Sequence, residues 1–408
     1  MPTLQHDNRK RRVLIIVENL PVPFDRRVWM EATALRQADY EVAVICPKTR
    51  DYPLAYECID GIHVYRHWLP REAKGILGYL LEYAAALCGE TWLACKVWRR
   101  HGFDAIQACN PPDLVFLVAA PFKFLLGTSF VFDHHDPFPE LFEVKFPRHR
   151  AMKRFTTWVE RLTFRLADRV IASSEALRQV AMTRGDIPEN RVVLVRSGID
   201  LARFGKVDAD PRLRGGRAHM VMYLGVIGSQ DGVDLLLRAI VHVVHNKGRC
   251  DVWFVIAGDG PALADLRELA ISLDVQAHIR FTGFVSGPPL HALLATADVG
   301  VCPDPPNAFN HMLSMNKIME YHAFALPVVL FDLREGRILA GAGGLVAKGS
   351  DPEDLGERIL ELLDDPARRR AMGAAGRSQV EAMFAWPIHA ARYLALYESL
   401  FAAKHGAR

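Results

Sequence analysis

The sequence has 408 residues, 50% of them hydrophobic and 24% charged, which is typical of a globular protein rather than a disordered one. A chain of this length exceeds one ordinary hydrophobic core, so we expect two domains. The formal net charge of +3 is too small to predict nucleic acid as a partner.

The first half of the chain alternates short β-branched runs with helical patterns, which predicts a parallel sheet. The predicted strands are 13–17, 41–46, 63–66, 104–109, 130–133, 169–173 and 192–197. After the first strand comes NLPVPFDRRVWMEATAL, predicted as a loop with two prolines and a helix capped by Asp25. Dinucleotide-binding folds place a glycine-rich phosphate cradle at such a turn. This turn has no glycine and carries Arg26 and Arg27 instead.

The second half repeats the same alternation after a stretch that gathers Gly, Pro and charge. Its predicted strands are 220–225, 252–258, 279–283, 299–303, 327–331 and 343–347. A final amphipathic helix has a proline near its start. We expect an α/β protein with two doubly wound, Rossmann-like domains facing across a cleft. The predicted parts are a domain at 1–203, a linker at 204–218, a domain at 219–382 and a C-terminal helix at 383–408.

The helix before the ALPVV strand carries the richest candidate site. Ser314 is predicted to cap a helix whose first turn contains Met315, Asn316 and Lys317. Free backbone N–H groups, the helix dipole and the lysine charge together favour binding of an anion. Glu320, one turn further, could accept hydrogen bonds from ribose hydroxyls. Alternatively, Lys317 and Glu320 form an ordinary surface pair at i,i+3.

Several motifs resemble retaining glycosyltransferase family four. These are MNKIMEYHAFALPVV at 315–329, AGDGP at 257–261, FTGFV at 281–285 and RSGIDLARF at 196–204, together with the C-terminal helix. The resemblance implies the GT-B fold and transfer of a sugar, with retention, from a UDP- or GDP-sugar. It implies a lipid-linked or saccharide acceptor in cell-surface polysaccharide or glycoconjugate biosynthesis. It also implies that the C-terminal helix at 383–408 crosses back to the N-terminal domain, that this domain binds the acceptor and that no metal or other cofactor is needed.

The sequence departs from the commonest family pattern at three charged positions. Glu320 matches the second glutamate of a pair, but Met312 stands where the first would be. Val226 and Asp231 stand where the family usually has an Arg and a Lys that bind the donor diphosphate. The chain therefore resembles a subgroup that lacks these charges, and Arg26 and Arg27 are candidates to replace them, because arginine binds phosphate bidentately. Alternatively, both arginines are solvated residues of a first helical turn.

The resemblance assigns further residues to the site. His135 is expected to contact the donor sugar and, with Glu320, to be catalytic; the alternative is a structural histidine. A metal at the His-His-Asp run is disfavoured, because adjacent residues at a strand end point to opposite faces. The remaining candidates are Gly225, Gly258 and Phe284 for the donor, and Asn110 and Asp113 for the acceptor, although these last two also fit a proline-stiffened turn.

The cysteines and the apolar segments of the sequence indicate the subcellular location of the protein. Seven scattered cysteines without a Cys-x-x-Cys pair predict reduced core thiols in a cytosolic protein. No apolar signal region precedes the first strand, and no uncharged run reaches about 18 residues. Residues 76–98 come closest and are either a core helix or a membrane-contacting helix. We expect a cytoplasmic protein. A basic surface could dock on anionic lipid at the inner face of the membrane. It would be formed by the basic N-terminus, the basic residues of 148–169 and the nearby Phe142, Phe146, Phe155 and Trp158.

Two rival functions remain open at this point. The lost charges fit a non-catalytic subunit that binds sugar nucleotides. The GT-B fold would also fit a sugar-nucleotide epimerase. A dehydrogenase is disfavoured, because no Gly-x-Gly-x-x-Gly follows the first strand.

Overall fold

The computed structural model describes residues 9–70, 75–146, 150–202, 204 and 207–406. The chain divides into two compact units. The first unit is Met1–Val195 with Ala390–Arg408, and the second is Arg196–His389. The described part of the predicted linker lies within the second unit, where it includes a short 3-10 turn at Pro211–Arg214. The predicted C-terminal helix is divided, because its residues from Ala390 onward belong to the first unit.

The first unit is built on an eight-stranded sheet. Its strands are β1 (Arg12–Val17), β2 (Glu41–Pro47), β3 (Tyr56–Ile59), β4 (Ile62–His67), β5 (Ala105–Cys109), β6 (Ser129–His134), β7 (Arg169–Ala172) and β8 (Val192–Leu194). Their order across the sheet is β3-β4-β2-β1-β5-β6-β7-β8, and only the β3–β4 pair is antiparallel. Each predicted strand of this half is present, and β3 was not predicted.

Helices connect the parallel strands of the first unit, except that the chain passes from β2 to β4 through β3. They are α1 (Arg26–Gln37), α2 (Gly75–Arg100), α3 (Phe116–Leu126), α4 (Phe138–Lys145), α5 (Arg150–Leu166) and α6 (Glu175–Thr183). The predicted cap of α1 is confirmed, because the Asp25 carboxylate accepts a hydrogen bond of 3.1 Å from the Val28 N–H. This bond fixes the point at which the glycine-free loop turns into helix.

The second unit has a six-stranded, all-parallel sheet in the order β11-β10-β9-β12-β13-β14. Its strands are β9 (His219–Leu224), β10 (Val252–Ala257), β11 (Ile279–Gly283), β12 (Val299–Cys302), β13 (Val328–Phe331) and β14 (Gly344–Ala347). Its helices are α7 (Val233–Val241), α8 (Leu263–Ser272), α9 (Pro288–Thr296), α10 (Asn316–Ala323), α11 (Arg334–Ala340), α12 (Pro352–Asp364) and α13 (Pro366–Gln379). The predicted strands of this half are all present.

Both faces of the second sheet are buried, which explains why its strands read as continuous apolar runs. Along β9, Val221 and Tyr223 enter one core cluster, whereas Met220 and Met222 enter the other. This alternation follows from the two-residue period of a strand.

The last helix, α14 (Trp386–Gly406), contributes two tyrosines to the core of the first unit. The hydroxyls of Tyr393 and Tyr397 donate to Gln107 Oε1 on β5 at 2.7 and 2.8 Å. The amide of Gln107 donates in turn to Glu31 at 2.7 Å and to Asp133 at 3.0 Å. All five side chains are buried, so this helix completes a polar network inside the first unit.

Two predictions about cysteines and membranes can be compared with this fold. All seven cysteines are free thiols, but only Cys46, Cys109 and Cys302 are buried, so the prediction that they are core residues holds for part of the set. Among the described residues, no helix has both the length and the apolar character needed to cross a membrane.

Candidate functional site

In the second unit, the candidate site lies at the edge where the parallel strands end, as expected for this kind of sheet. Glycines allow the loops after β9 and β10 to touch there. A Cβ atom on Gly258 would lie 1.8 Å from the Gly225 carbonyl oxygen, and a Cβ on Gly225 would lie 3.3 Å from the Lys317 side chain. The two predicted glycines are therefore in contact, and side chains are excluded from this point.

Lys317, in the first turn of α10, reaches the same edge. Its ammonium lies 2.8 Å from Asp304 Oδ2, just beyond the end of β12, and 4.7 Å from the ring centroid of Tyr223. The lysine and aspartate side chains are only 10% and 3% exposed. Burial by itself would lower the pKa of Lys317, but Asp304 and Tyr223 raise it well above its ordinary value. Lys317 is therefore a fixed cation that already has a carboxylate partner, rather than a surface residue.

Asp231 adds a second carboxylate near this lysine. Its Oδ2 accepts a hydrogen bond of 2.8 Å from the Gly228 N–H and so shapes the loop after β9. Burial raises the pKa of Asp231 to about 6, with Lys317 acting in the opposite direction. Lys317 thus faces two aspartates, Asp304 and Asp231, so it does not by itself give a bound diphosphate a net positive environment.

The start of α10 differs from the prediction in one respect. Met315, not Ser314, is the N-cap residue, and it makes no side-chain capping bond. The Ser314 hydroxyl is instead 3.5 Å from an Nη atom of Arg196, a buried arginine that pairs with Glu335 at 2.9 Å. The Ser314 hydroxyl therefore accepts from Arg196 rather than from a backbone N–H of α10, which explains why Ser314 does not cap the helix.

The other residues of this unit predicted to bind the donor differ in their exposure to solvent. Asn316 is exposed in the first turn of α10, whereas Glu320 is buried at 6% exposure one turn further. Phe284 follows β11 with 62% of its surface exposed, which suits a side chain that stacks on a base. Their predicted roles in donor binding stay predictions.

In the first unit, Arg27 is buried and fully engaged by protein acceptors. Its guanidinium donates to Asp133 at 2.9 Å, to His135 Nε2 at 2.8 Å and to the Val195 carbonyl at 2.8 Å, and it also lies 3.2 Å from Glu31. With 7% exposure it does not fit the predicted role of a surface cation for a diphosphate. Arg26, its exposed neighbour, remains the candidate of the pair.

His135 lies at the end of β6 within this same network. Its Nε2 atom is 2.8 Å from Asp133 Oδ2, and its backbone N–H donates to Asn110 Oδ1 at 2.6 Å. Burial would raise the pKa of Asp133, but Arg27 and His135 hold it below its ordinary value, so Asp133 is a carboxylate. The neighbouring His134 is buried, and burial lowers its pKa to about 3. Of the two histidines, only His135 is partly exposed.

Cys109, Asp133 and His135 are close enough to be considered as metal ligands. The Arg27 guanidinium already bonds to two of the three, and a metal ion would place further positive charge directly beside it. Burial also raises the pKa of the Cys109 thiol, which disfavours the thiolate that a metal needs. The residues present do not fit a metal at this position.

The predicted acceptor residues Asn110 and Asp113 are buried at 1% and 0% exposure. The Asn110 amide donates to Asp113 Oδ1 at 2.8 Å and to the Asp136 carbonyl at 2.7 Å. These bonds tie the loop after β5 to the loop after β6. The arrangement fits the alternative of a stiffened turn, and contact with an acceptor stays a prediction.

Asp304 is a site residue that was not predicted from the sequence. The signal was present, because Asp304 follows the predicted strand at 299–303, at the end where ligands bind in such sheets.

Comparison with known proteins follows the same division of the chain. Residues 25–203 match the family model described as Glycosyltransferase Family 4, and residues 218–365 match the model described as Glycosyl transferases group 1. Over 97% of its length, the fold resembles all of the solved sucrose-phosphate synthase from Thermosynechococcus elongatus, with a TM-score of 0.80. The sequence identity of 19% makes this a likeness of fold alone.

Two curated relatives are more similar in sequence over shorter stretches. One is the GDP-mannose-dependent monoacylated alpha-(1-6)-phosphatidylinositol monomannoside mannosyltransferase of Corynebacterium glutamicum, 34% identical over 41% of this chain and 44% of the relative. The other is D-inositol 3-phosphate glycosyltransferase 1 of Catenulispora acidiphila, 31% identical over 57% of each chain. The chain therefore spans about half the length of these relatives. Residues 25–203 are thus similar to Glycosyltransferase Family 4 and residues 218–365 to Glycosyl transferases group 1, and the two Rossmann-like units have the GT-B fold.

Proposed function

We propose that this protein is a retaining glycosyltransferase that moves a sugar from a UDP- or GDP-sugar to a lipid-linked or saccharide acceptor. The observation that carries the proposal is the position of α10 within the matched range 218–365. Its Lys317 and Glu320 stand one turn apart, with the lysine held at the carboxyl edge of the sheet. This is the arrangement expected for a helix that binds a nucleotide diphosphate and its ribose.

In the proposed reaction, the second unit binds the donor. The start of α10 and Lys317 contact the diphosphate, Glu320 accepts the ribose hydroxyls, and Phe284 stacks on the base. The donor's own phosphate oxygen assists the incoming hydroxyl, so the protein contributes positioning and stabilisation of the leaving group. His135 contacts the donor sugar, and no metal takes part.

The first experiment is a thermal-shift screen with UDP, GDP, ADP and their sugars, followed by transfer assays with the donors that bind. NMR of the product should show the anomeric configuration of the donor retained. Glu320→Gln should weaken nucleotide binding by about tenfold or more, because hydrogen bonds to a charged carboxylate are lost. Glu353→Gln, an exposed glutamate on α12, is the matched control and should bind normally. An inverted product, or equal binding by both variants, contradicts the proposal.

A second candidate is a sugar-nucleotide-binding protein without transferase activity. The observation that favours it is the charge at the donor edge, where Lys317 is already paired with Asp304 and Asp231 stands nearby. Calorimetric donor binding with neither hydrolysis nor transfer supports this reading. Turnover of the donor without any acceptor would instead reveal an epimerase.

We also propose a cytoplasmic protein that contacts the inner face of the membrane, because a lipid-linked acceptor would be found there. Of the aromatic residues predicted from the sequence to make this contact, only some are exposed to solvent. Phe155 and Trp158 on α5 are exposed, whereas Phe142 is buried. Arg148 lies outside the described residues.

A further inference from the structure

A basic cavity of about 350 Å³ lies in the first unit, at the start of β6 and β7. Three cations, Lys123, Arg169 and Lys404, line it together with one carboxylate, Asp168. Lys123 pairs with Asp168 at 2.6 Å, and Arg169 donates to the Asp168 carbonyl at 3.0 Å. The lining thus has an excess of two positive charges, which predicts an anionic ligand.

The cavity also has hydroxyl groups suited to a phosphate. Thr128 and Ser129 line it and are nearly buried, at 5% and 6% exposure. The Lys404 ammonium lies 3.3 Å from Ser129 Oγ and also donates to the Gly127 carbonyl. These contacts hold a cation beside a hydroxyl, and phosphate oxygens bind to that combination.

An apolar surface adjoins the cavity on the same segment of chain. Phe124 and Leu125, at the end of α3, are 74% and 81% exposed, the highest values among the large apolar side chains of the described residues. Leu126 follows with 48%, and Leu117, seven residues before Phe124 and therefore on the same side of the helix as Phe124, contributes a further 48%. No charged side chain of α3 interrupts this face, because Lys123 turns toward Asp168. Solvent-facing apolar residues of this size, bordered by charge, indicate an interaction surface.

We propose that the end of α3 inserts into an anionic phospholipid bilayer while the cavity of Lys123, Arg169 and Lys404 binds a lipid headgroup phosphate. Stable attachment to a membrane needs two signals, one apolar and one basic, and here the apolar residues 124–126 directly follow Lys123, which lines the cavity with Arg169 and Lys404. The charge of the cavity favours anionic lipid over an apolar protein partner, which would cover two excess positive charges without supplying a negative one. This surface differs from the aromatic one on α5 and does not depend on the proposed transferase activity.

The test uses the full chain and vesicles of phosphatidylcholine with or without phosphatidylglycerol, read by co-sedimentation. Phe124→Ser with Leu125→Ser should lower the partition coefficient by roughly tenfold for each residue, because each loses an apolar side chain that would enter the bilayer. Lys404→Gln should lower it roughly fivefold, and only on vesicles that contain phosphatidylglycerol. The matched controls are Ile271→Ser and Arg370→Gln, exposed residues of the second unit, and they should bind as the wild type does.

A second arm separates this surface from the α5 aromatics. Phe124→Trp should show fluorescence quenching by brominated acyl chains beyond that of the unaltered protein, which reports insertion directly. Wild-type binding by the Phe124/Leu125 variant overturns the proposal, as does loss of binding only in Phe155→Ser with Trp158→Ser. Binding that does not depend on phosphatidylglycerol also overturns it. Unchanged melting temperatures confirm that the variants are folded.

Discussion

Replacing Arg27 by methionine should destabilise the first unit strongly. The substitution keeps an unbranched, apolar stem but removes a guanidinium that bonds to Asp133, His135 and the Val195 carbonyl, at distances between 2.8 and 2.9 Å. Asp133 is 0% exposed, so water cannot take the place of the lost partner. Removing one member of a buried ion pair typically costs 3–5 kcal/mol, and we expect a loss of about that size.

The cost arises mainly from the uncompensated charge of Asp133, and a double-mutant cycle isolates it. Asp133→Asn alone leaves a buried guanidinium with a weaker acceptor and should also destabilise the unit. The double variant removes both charges, so its loss should be smaller than the sum of the two single losses by about 1–3 kcal/mol. Because a two-unit chain need not unfold in one step, amide hydrogen exchange on β5 and β6 is the appropriate measurement.

Arg26→Met is the matched control, since Arg26 is the exposed neighbour in the same helical turn. It should leave the stability of the first unit within about 0.5 kcal/mol of the wild type. Equal stability of the two single variants would refute the structural role assigned to Arg27. Arg26→Met is also the appropriate variant for testing diphosphate binding, because any loss of affinity would not be a consequence of unfolding.

Three further outcomes follow from buried groups elsewhere. Ionisation of Asp231, whose pKa is raised by burial to about 6, should weaken UDP- or GDP-sugar binding as the pH rises through 6, and calorimetry should find that dependence absent in Asp231→Asn. Burial raises the pKa of Glu90 to about 8, so between about pH 5 and 8 its carboxyl is ionised in the unfolded chain but protonated in the folded one. The free energy of unfolding should therefore fall by up to about 1.4 kcal/mol per pH unit over this range. Urea titrations of Glu90→Gln should show a smaller dependence on pH. Gly258→Ala should lower the melting temperature of the second unit more than Gly248→Ala does, because the new Cβ would overlap the Gly225 carbonyl, whereas the Gly248 position is open; equal losses would contradict the contact.

The strands were predictable because β-branched runs bounded by turns leave few alternatives for a buried sheet. The one strand missed, β3, is a half-exposed edge strand whose sequence, YECI, has no such run. Its signal lay in the Asp60-Gly61 pair that follows, since both residues adopt positive φ, as a two-residue hairpin turn requires. Local periodicity thus identified the buried sheet but not the edge strand.

The site was less predictable, because its chemistry depends on partners distant in sequence. Nothing near Arg27 indicates that Asp133, 106 residues away, would bury it, although Glu31 at i,i+4 was a local hint. In the same way, Lys317 was correctly placed on a helix, but its partner Asp304 comes from the end of another strand. Local sequence patterns identify elements and candidate charges, whereas the pairing of those charges requires the fold.

The tyrosines of α14 have a consequence for synthesis of the protein on the ribosome. Tyr393 and Tyr397 complete the hydrogen bonds of Gln107, nearly three hundred residues earlier in the chain, so the first unit is not a continuous segment. When only the first half of the nascent chain has emerged from the ribosome, Gln107 Oε1 lacks these two donors. The second unit, which is continuous, is thus able to finish folding before the first, although it is synthesised later.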